Sequence, residues 1–272
     1  MDLNTLKNSA PWDWPVDAGE ILIGIITSKQ AGEKDRLVAV DLAGDPVVVG
    51  DDVAGTLLQV VGAADESDAV RGAAAISLGT ILEEADLLDG DMFGDEEDYI
   101  TPEMFAKIQQ DCKALFHDAD TPEGVRRKIL AASVRAPRDW HTGAVRSAYQ
   151  ADDDLWQLTA VFGMQYLRGF DEQILKALES DDFLIHYNAV IAAGNWGLKG
   201  AWSHIKHLVT AGDTDKDLLL AAIEAVVNLD PGEAPLLLGD LLDSDDEDIV
   251  DAVHEALSMA GGLSEQEDFE DV

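Results

Sequence analysis

The chain has 272 residues, of which 47% are hydrophobic, enough apolar side chains to build a buried core. Its 55 Asp and Glu residues outnumber its 18 Lys and Arg residues, and the formal net charge of −37 opposes non-specific binding to DNA, RNA or anionic lipid. The sequence therefore predicts a folded protein with neither nucleic acid nor a membrane as a partner. Two explanations of the acidity stay open: adaptation to a high-salt cytoplasm, and Asp-rich turns that cap successive helices.

The N-terminal segment, residues 1–19, is predicted to cap the apolar end of a helical array. It contains the motif PWDWP, whose prolines disfavour a helix and whose rings, Trp12 and Trp14, would cover the first repeat. A peptide-binding aromatic pair is the alternative. The segment lacks a basic stretch followed by an apolar run, and the chain has a single cysteine, Cys112. These features predict a reducing, cytoplasmic location.

A repeat of about 30 residues follows, and it is interrupted once. In each copy an apolar residue opens a helix after an acidic turn; these residues are Val70, Val125, Trp156, Ile185, Leu218 and Ile249. Four positions later every copy has an apolar residue, and seven positions later every copy has a small one. These offsets lie on one helix face, and small residues there let neighbouring helices approach closely.

A second amphipathic segment precedes each acidic turn, so that each copy predicts a pair of helices. The turn of each copy contains an Asp that is predicted to be the N-cap; these are Asp65, Asp120, Asp152, Asp181, Asp213 and Asp245. A weaker copy, GEILIGIITSK followed by RLVAVDLAG, comes first and has Arg36 at the apolar position. The predicted fold is all-α, an α-solenoid of about six to seven helix pairs over residues 20–82 and 99–262.

Residues 83–98 separate these two stretches and contain nine acids and no base, which predicts an exposed acidic loop. The stretch DGDMFGDEEDYI, residues 89–100, overlaps its second half and begins like a calcium-binding loop. However, Phe93 and Ile100 stand where such a loop requires oxygen ligands, so a solvated loop is favoured over a calcium site. Residues 263–272 are predicted to form an acidic tail that frays.

The stretches DAVRGAAAISLG and EGVRRKILAASV resemble the second helix of HEAT repeats, in particular the short repeats of phycobilin lyase-like HEAT proteins. The resemblance covers residues 20–260 and implies a helical scaffold with a surface for protein partners. It also implies a ladder that joins an Asp of the turn to an Arg at the start of the second helix. Asp65 with Arg71 and Asp120 with Arg126 match this pattern, whereas the later copies lack the Arg.

Two kinds of enzyme resemble this chain in their repeats. Deoxyhypusine hydroxylase is similar in its short repeats and builds a di-iron site from several His-Glu pairs, but the one such pair in this sequence is His254 with Glu255. Phycobilin lyase subunits resemble the chain in length and repeat type, so a lyase or chaperone-type subunit is the alternative function. His204 and His207 share a helix face without a nearby carboxylate, and Cys112 is expected to be buried. We therefore expect no enzyme activity, no cofactor and no metal site.

The charge reverses locally in residues 121–150, which contain six cationic and two acidic residues. The candidate partner-binding residues of this basic strip are Arg126, Arg127, Lys128, Arg135, Arg138, Trp140 and His141. Exposed Arg beside Trp is enriched at binding hot spots. A structural interpretation remains for Arg126, as part of the ladder, and for Trp140, as a filler between repeats.

The predicted function is a non-catalytic scaffold or adaptor for a protein partner, which the sequence does not identify. The basic strip is predicted to dock a carboxylate-rich surface, because an isolated positive patch in a negative field orients acidic groups. The acidic segment 83–98 and the tail are both tethered to the same chain and are able to occupy the strip in cis.

Overall fold

A computed structural model of the chain describes residues 2–89 and 99–270, except the side chains of residues 89 and 262–270. The described residues form fifteen α-helices and contain no strand, which confirms the predicted all-α class. They fall into two compact units, Met1–Ala148 and Tyr149–Val272. None of the described helices combines the length and the apolarity needed to cross a membrane.

The first unit consists of a short helix followed by three helix pairs and one further helix. Its helices are α1 (Leu3–Asn8), α2 (Ala18–Thr27), α3 (Glu33–Leu42), α4 (Asp51–Gly62), α5 (Asp68–Asp89), α6 (Pro102–His117), α7 (Glu123–Ser133) and α8 (Asp139–Gln150), near whose end the unit finishes. The first helices of the pairs, α2, α4 and α6, pack in succession, and the second helices, α3, α5 and α7, form a parallel succession beside them. This is the two-layer stacking that the repeat predicts.

The second unit repeats this plan. Its helices are α9 (Asp154–Gly163), α10 (Asp171–Ala177), α11 (Phe183–Asn195), α12 (Trp202–Thr210), α13 (Lys216–Leu229), α14 (Ala234–Leu238) and α15 (Glu247–Glu270). A 3₁₀ turn at Gly239–Asp243 continues α14. Helices α9, α11, α13 and α15 pack in succession as the layer of second helices. All six helix-opening residues predicted from the repeat lie in the first turn of α5, α7, α9, α11, α13 or α15, which confirms the register.

Close approach of the second helices depends on glycine opposite a small residue. A methyl group added to Gly79 of α5 would lie 2.8 Å from the Cα of Ala132 in α7. A methyl group added to Gly194 of α11 would lie 2.9 Å from the Cβ of Ala225 in α13. Ala132 and Ala225 occupy the small position predicted seven residues after the helix-opening residue. Both units therefore join their second helices through the same contact.

The predicted N-caps are wrong by one or two positions in the second unit. The residues whose side chains accept from an N–H of the first helical turn, at 2.9 to 3.1 Å, are Asp153, Asp182, Asp215 and Asp246. An N-cap must directly precede the helix so that its side chain reaches an N–H two or three residues ahead. Where a turn holds two or more acids, the last acid before the helix satisfies this geometry and the predicted one does not.

In the first unit the predicted capping acids do not cap at all. Ser67 Oγ accepts from the N–H of Val70 at the start of α5, at 3.3 Å. Pro122 precedes α7, and no side chain caps that helix. Asp65 is exposed instead, with Oδ2 3.6 Å from Nζ of Lys29. Among the described helix pairs Asp-capping is therefore found in the second unit, while in the first unit Asp2 caps the short helix α1, accepting from the N–H of Thr5 at 2.9 Å.

The Asp–Arg ladder implied by the HEAT resemblance is also wrong. Nε of Arg71 donates to the carbonyl of Val61 at 2.9 Å, and the side chain is buried. Nε of Arg36 donates in the same way to the carbonyl of Ile26, also at 2.9 Å. Each acceptor lies ten residues earlier, in the last turn of the preceding helix, where carbonyls lack an intrahelical donor. The arginines therefore pair with helix C-termini, and neither Asp65 with Arg71 nor Asp120 with Arg126 forms an ion pair.

One of the two N-terminal tryptophans covers the first helix pair as predicted. Nε1 of Trp14 donates to the carbonyl of Leu6 at 3.0 Å, its ring packs on the core of the first unit, and Leu6 is fully buried. Trp12 stays 81% exposed, so it does not contribute to the cap.

The predicted acidic insertion starts later than expected, because residues 83–89 are the last turns of α5. Residues 90–98, which include most of the calcium-like stretch, lie outside the described residues. At the C-terminus α15 continues through Glu270, beyond the predicted start of the tail at residue 263. The side chains of residues 262–270 are outside the described part, as are residues 271 and 272.

Candidate functional site

The predicted basic strip extends from α7 to the first turn of α8. Arg126, Arg127 and Lys128 belong to α7, and Arg135 and Arg138 lie in the turn that follows it. Trp140 and His141 are the second and third residues of α8. Lys128 is exposed and Arg126 is half-buried. The strip residues are therefore neighbours in the fold, but their accessibility differs.

Two arginines of the strip pair with acids at the end of α5. Nη1 of Arg135 lies 2.5 Å from Oε2 of Glu83, and Nη2 of Arg138 lies 3.3 Å from Oδ1 of Asp86. The guanidinium of Arg138 also stacks over the ring of Phe105, 5.0 Å from its centroid. Glu83 and Asp86 are two of the first three acids of the segment predicted to occupy the strip in cis. The occupying element is a helix end that packs beside α7.

His141 is not available to a partner, and its place in the candidate site is wrong. Its ring is fully buried; Nδ1 accepts from the N–H of Arg138 at 2.9 Å, and Nε2 lies 3.0 Å from Oγ of Ser133. Ser133 in turn donates to the carbonyl of Ile129 at 2.7 Å, so that Oγ can accept from Nε2. Burial lowers the pKa of His141 to about 4. The neutral imidazole therefore holds the turn between α7 and α8 in place.

Trp140 packs between helices, as the interpretation of this residue as a filler predicts. Its ring centroid lies 5.3 Å from that of Phe116 and 5.8 Å from that of His117, both at the end of α6. Its ring centroid also lies 3.9 Å from that of His141. The ring is half-buried, so it fills the space between α6 and α8 and leaves part of its surface to solvent. Sequence proximity to Arg138 alone does not distinguish this filler from a binding residue.

A groove of about 480 Å³ opens on the second-helix layer of the second unit, between α11, α13 and α15. Its apolar lining comes mainly from Ile191, Leu220, Ile223, Val227, Ala252 and Ala256, with Tyr187 and Met259 at its edges. Ile223 and Val227 are buried, whereas Met259 is 45% exposed. The groove therefore has a packed apolar floor and an accessible apolar edge.

On α13 the groove residues recur at helical spacing but not on the face that the repeat pattern tracks. Leu220, Ile223 and Val227 stand on one side of α13, away from the register of Leu218 and its partners. On α15 the groove residues fall at intervals of three and four from Asp248 to Met259, again on one face. One apolar stripe of such a helix already builds the core. A second apolar stripe on the same helix was the signal that could have located this site.

Four carboxylates and no cation line the groove: Glu224, Asp248, Asp251 and Glu255. Asp248 accepts from Nζ of Lys216 at 2.6 Å, and Lys216 also lies 2.8 Å from Asp246. Hydrogen bonding to these two acids raises the pKa of Lys216. Within the described residues the carboxylates of Glu224, Asp251 and Glu255 are exposed and have no cationic partner. The groove therefore carries uncompensated negative charge above an apolar floor.

A histidine pair on neighbouring helices was missed in the sequence. Nε2 of His186 in α11 lies 2.7 Å from Nε2 of His204 in α12, so one ring donates and the other accepts. Burial lowers the pKa of each ring, and the neighbouring ring adds to the effect at His186. The two are 18 residues apart, a spacing that no linear motif suggests. In the described part of the chain, no three His, Cys, Asp or Glu residues are arranged to hold a metal ion.

Cys112 is buried in α6 as the sequence predicts. Burial raises the pKa of its thiol to about 12, with the charge of Asp111 adding to the effect. The thiolate is the nucleophilic form of cysteine, and at neutral pH it is scarcely populated here. Cys112 is therefore a packing residue.

No protein-family model and no curated protein matches the sequence. Among solved structures, the chain is similar to the Escherichia coli protein YibA, with 16% identity, a TM-score of 0.46, and coverage of 91% of this chain and 84% of YibA. It is similar to human deoxyhypusine hydroxylase, with 12% identity, a TM-score of 0.40, and coverage of 91% and 97%. A chain from the complex of Kap95p with RanGDP gives 11% identity, a TM-score of 0.43, and coverage of 95% and 42%. With TM-scores below 0.5, none of these likenesses bears on function.

Proposed function

We propose that this chain is a non-catalytic scaffold that docks protein partners, and that the groove between α11, α13 and α15 is a docking site. The observation that carries the proposal is an apolar floor that opens to solvent at Met259 and Tyr187. Covering such a surface with apolar side chains of a partner is favourable because it removes that surface from water. Concave, mostly apolar sites with a few polar groups are also the usual form of binding sites.

The layered architecture supports this role, since the stacked helix pairs of each unit present a row of second helices on which a partner can lie. The lone cysteine of the sequence supports a cytoplasmic location as part of the proposal. The basic strip remains a proposed second docking surface for an acidic partner, with Lys128 and Arg138 as exposed cations. Such a partner would compete with Glu83 and Asp86 for Arg135 and Arg138, and partly exposed ion pairs of this kind are weak.

The proposal is tested by placing a photo-reactive benzoylphenylalanine at Met259 of the full chain, expressed in its native host. Illumination should cross-link the groove variant to one or a few proteins. The same residue placed at Leu236, which is 81% exposed in the same unit but lies outside the groove, is the control and should give few adducts. Equal labelling at both positions, or none at Met259, would contradict docking in the groove. A tightly bound chromophore in the purified protein would instead favour the lyase or chaperone alternative.

A further inference from the structure

The carboxylates of the groove are placed at the pitch of a helix. Asp248, Asp251 and Glu255 stand at successive turns of α15, and a seven-residue interval on a helix spans about 10 Å. Glu224 of α13 lines the same groove. Lys or Arg residues at intervals of three and four on a second helix, aligned with α15, would repeat at the same distances. An irregular peptide or a compact cation would not match this row.

The apolar lining also favours an elongated occupant. Leu220, Ile223 and Val227 form a row along α13, and the small side chains of Ala252 and Ala256 leave the depression beside it on α15. Apolar residues at intervals of three and four on a docked helix interdigitate with such a row. Met259 at the end of the row has an adaptable side chain that suits a variable ligand surface.

The apolar surface continues beyond the groove along α11. Phe183, Tyr187 and Ile191 are spaced by four residues and share one face of that helix. Phe183 is 43% exposed, and its ring stacks on that of Tyr187 with centroids 6.2 Å apart. The surface is therefore longer than the groove itself, which a helix of several turns would use and a small molecule would not.

The charge of the groove determines whether a helical partner should be cationic or acidic. The groove lining has four carboxylates and no cation, within a chain of formal charge −37. An acidic helix would meet repulsion both from the rim and from the whole chain, whereas a cationic helix would be attracted by both. A second copy of this chain is disfavoured as occupant for the same reason.

We propose that the groove between α11, α13 and α15 binds a cationic amphipathic helix of a partner protein. Its apolar stripe lies on Leu220, Ile223 and Val227, and its flanking Lys or Arg side chains pair with Glu224, Asp251 and Glu255. This inference rests on the proposed docking function and deepens it by naming the chemistry of the partner.

The test uses the full chain and three labelled helical peptides that share one leucine stripe and differ in their flanking residues, which are Lys, Gln or Glu. Fluorescence anisotropy should show binding of the Lys peptide, binding weaker by at least about tenfold for the Gln peptide, and none for the Glu peptide. High salt should lower the affinity for the Lys peptide and leave the affinity for the Gln peptide nearly unchanged, because salt screens exposed charges.

Matched variants separate the groove from the overall charge. The rim variant Glu224→Gln, Asp251→Asn, Glu255→Gln should lose at least about tenfold in affinity for the Lys peptide. The control variant Asp152→Asn, Asp181→Asn, Asp213→Asn removes three exposed acids of the same unit that lie outside the groove, so it has the same net charge. It should stay within about twofold of the original chain, since distant surface charges are screened. Equal losses in the two variants would overturn the inference.

The outcomes distinguish this inference from the function on which it rests. Equal affinity for the Lys and Gln peptides would leave groove docking intact and overturn the cationic preference. Cross-linking of host proteins at Met259 without binding of any peptide would likewise retain the function and overturn a helical occupant. Sedimentation experiments test a second copy of this chain as the occupant. If the chain dimerises and the Lys peptide does not dissociate the dimer, the inference is overturned in favour of that second copy.

Discussion

The two units build the same succession of second helices but place their charges differently. In the first unit Arg36 and Arg71 extend inward to carbonyls of the preceding helix. In the second unit Asp153 and Asp182 stand at helix starts and face solvent. At these turns the first unit uses cations that reach inward and the second uses exposed carboxylates, although Asp2 also caps α1 and Nζ of Lys199 also donates to the C-terminal carbonyl of α13. The repeat pattern is the same in both, so the helix contacts alone do not dictate the chemistry of the turns.

The candidate interaction surfaces follow the same division. In the basic strip the guanidinium groups of Arg135 and Arg138 meet carboxylates of α5. In the groove Glu224, Asp251 and Glu255 have no cationic partner in the described part of the chain. The strip is the more conspicuous feature of the sequence, yet the groove offers more uncompensated charge. Charge in a sequence predicts a binding surface only where the fold does not use that charge internally.

The largest effect is expected from Arg71→Ala, which leaves the carbonyl of Val61 without its buried donor and removes the packing of the arginine stem. The free energy of unfolding of the first unit should fall by about 3 kcal/mol. The matched change in the second unit, Asp182→Ala, removes an exposed N-cap and should cost about 1 kcal/mol. Hydrogen exchange resolved along the chain measures each unit separately. Equal losses would remove the distinction between the two kinds of helix start.

Acidification should destabilise the first unit through His141. Its pKa is about 4 in the folded chain and near 6.5 in an unfolded one, so the unfolded state binds the proton more readily below pH 6.5. Stability is therefore lost as the pH falls, by about 2.5 kcal/mol between pH 7 and pH 4.5. Denaturant unfolding across this range, followed by hydrogen exchange in α7 and α8, measures the effect. In His141→Gln the slope with pH should flatten; an unchanged slope would assign the acid sensitivity to other groups.

Both units should respond alike to a methyl group at the shared glycine contact. Gly79→Ala and Gly194→Ala each place a Cβ within 3 Å of the neighbouring helix and should lower the free energy of unfolding by about 2 kcal/mol. Gly24→Ala is the control, because no atom lies within 4 Å of its added methyl group in α2. It should stabilise the chain by up to about 1 kcal/mol through helix propensity. Thermal denaturation ranks the three variants, and a neutral Gly194→Ala would limit the close contact to the first unit.

The sequence was sufficient for the helix pairs because burial repeats with the helical period. Val70 and Val125 open their helices and are fully buried, and Gly79 with Ala132 shows why the seventh position is small. The caps were misplaced because several acids share each turn, and only the backbone geometry selects Asp153 over Asp152. Patterns fix which face is buried but not which of two adjacent polar residues makes a contact.

The candidate sites were harder to predict, since they depend on pairing between distant helices. Arg135 meets Glu83 across 52 residues, and His186 meets His204 across 18. His141 was assigned to a surface because it follows Trp140, but its ring satisfies the N–H of Arg138 inside the turn. The groove was not predicted because residues such as Leu220 lie on a helix whose other face already accounts for the apolar pattern.

The smallest stability effect is expected where the strip and α5 meet. The double variant Glu83→Gln, Asp86→Asn removes both carboxylates that face Arg135 and Arg138, and partly exposed pairs of this kind contribute less than about 1 kcal/mol each.

Binding should change more than stability, because the acids of α5 compete with any external carboxylate at high effective concentration. A Glu-rich peptide should bind the double variant severalfold more tightly than the original chain at low salt, and the gain should vanish at high salt. Glu20→Gln with Asp41→Asn removes two exposed acids of the same unit that have no ion pair with the strip, and it controls for net charge. If this control gains as much affinity, the effect is a general loss of repulsion, and the basic strip is a structural contact between α5 and α7 with no role in docking.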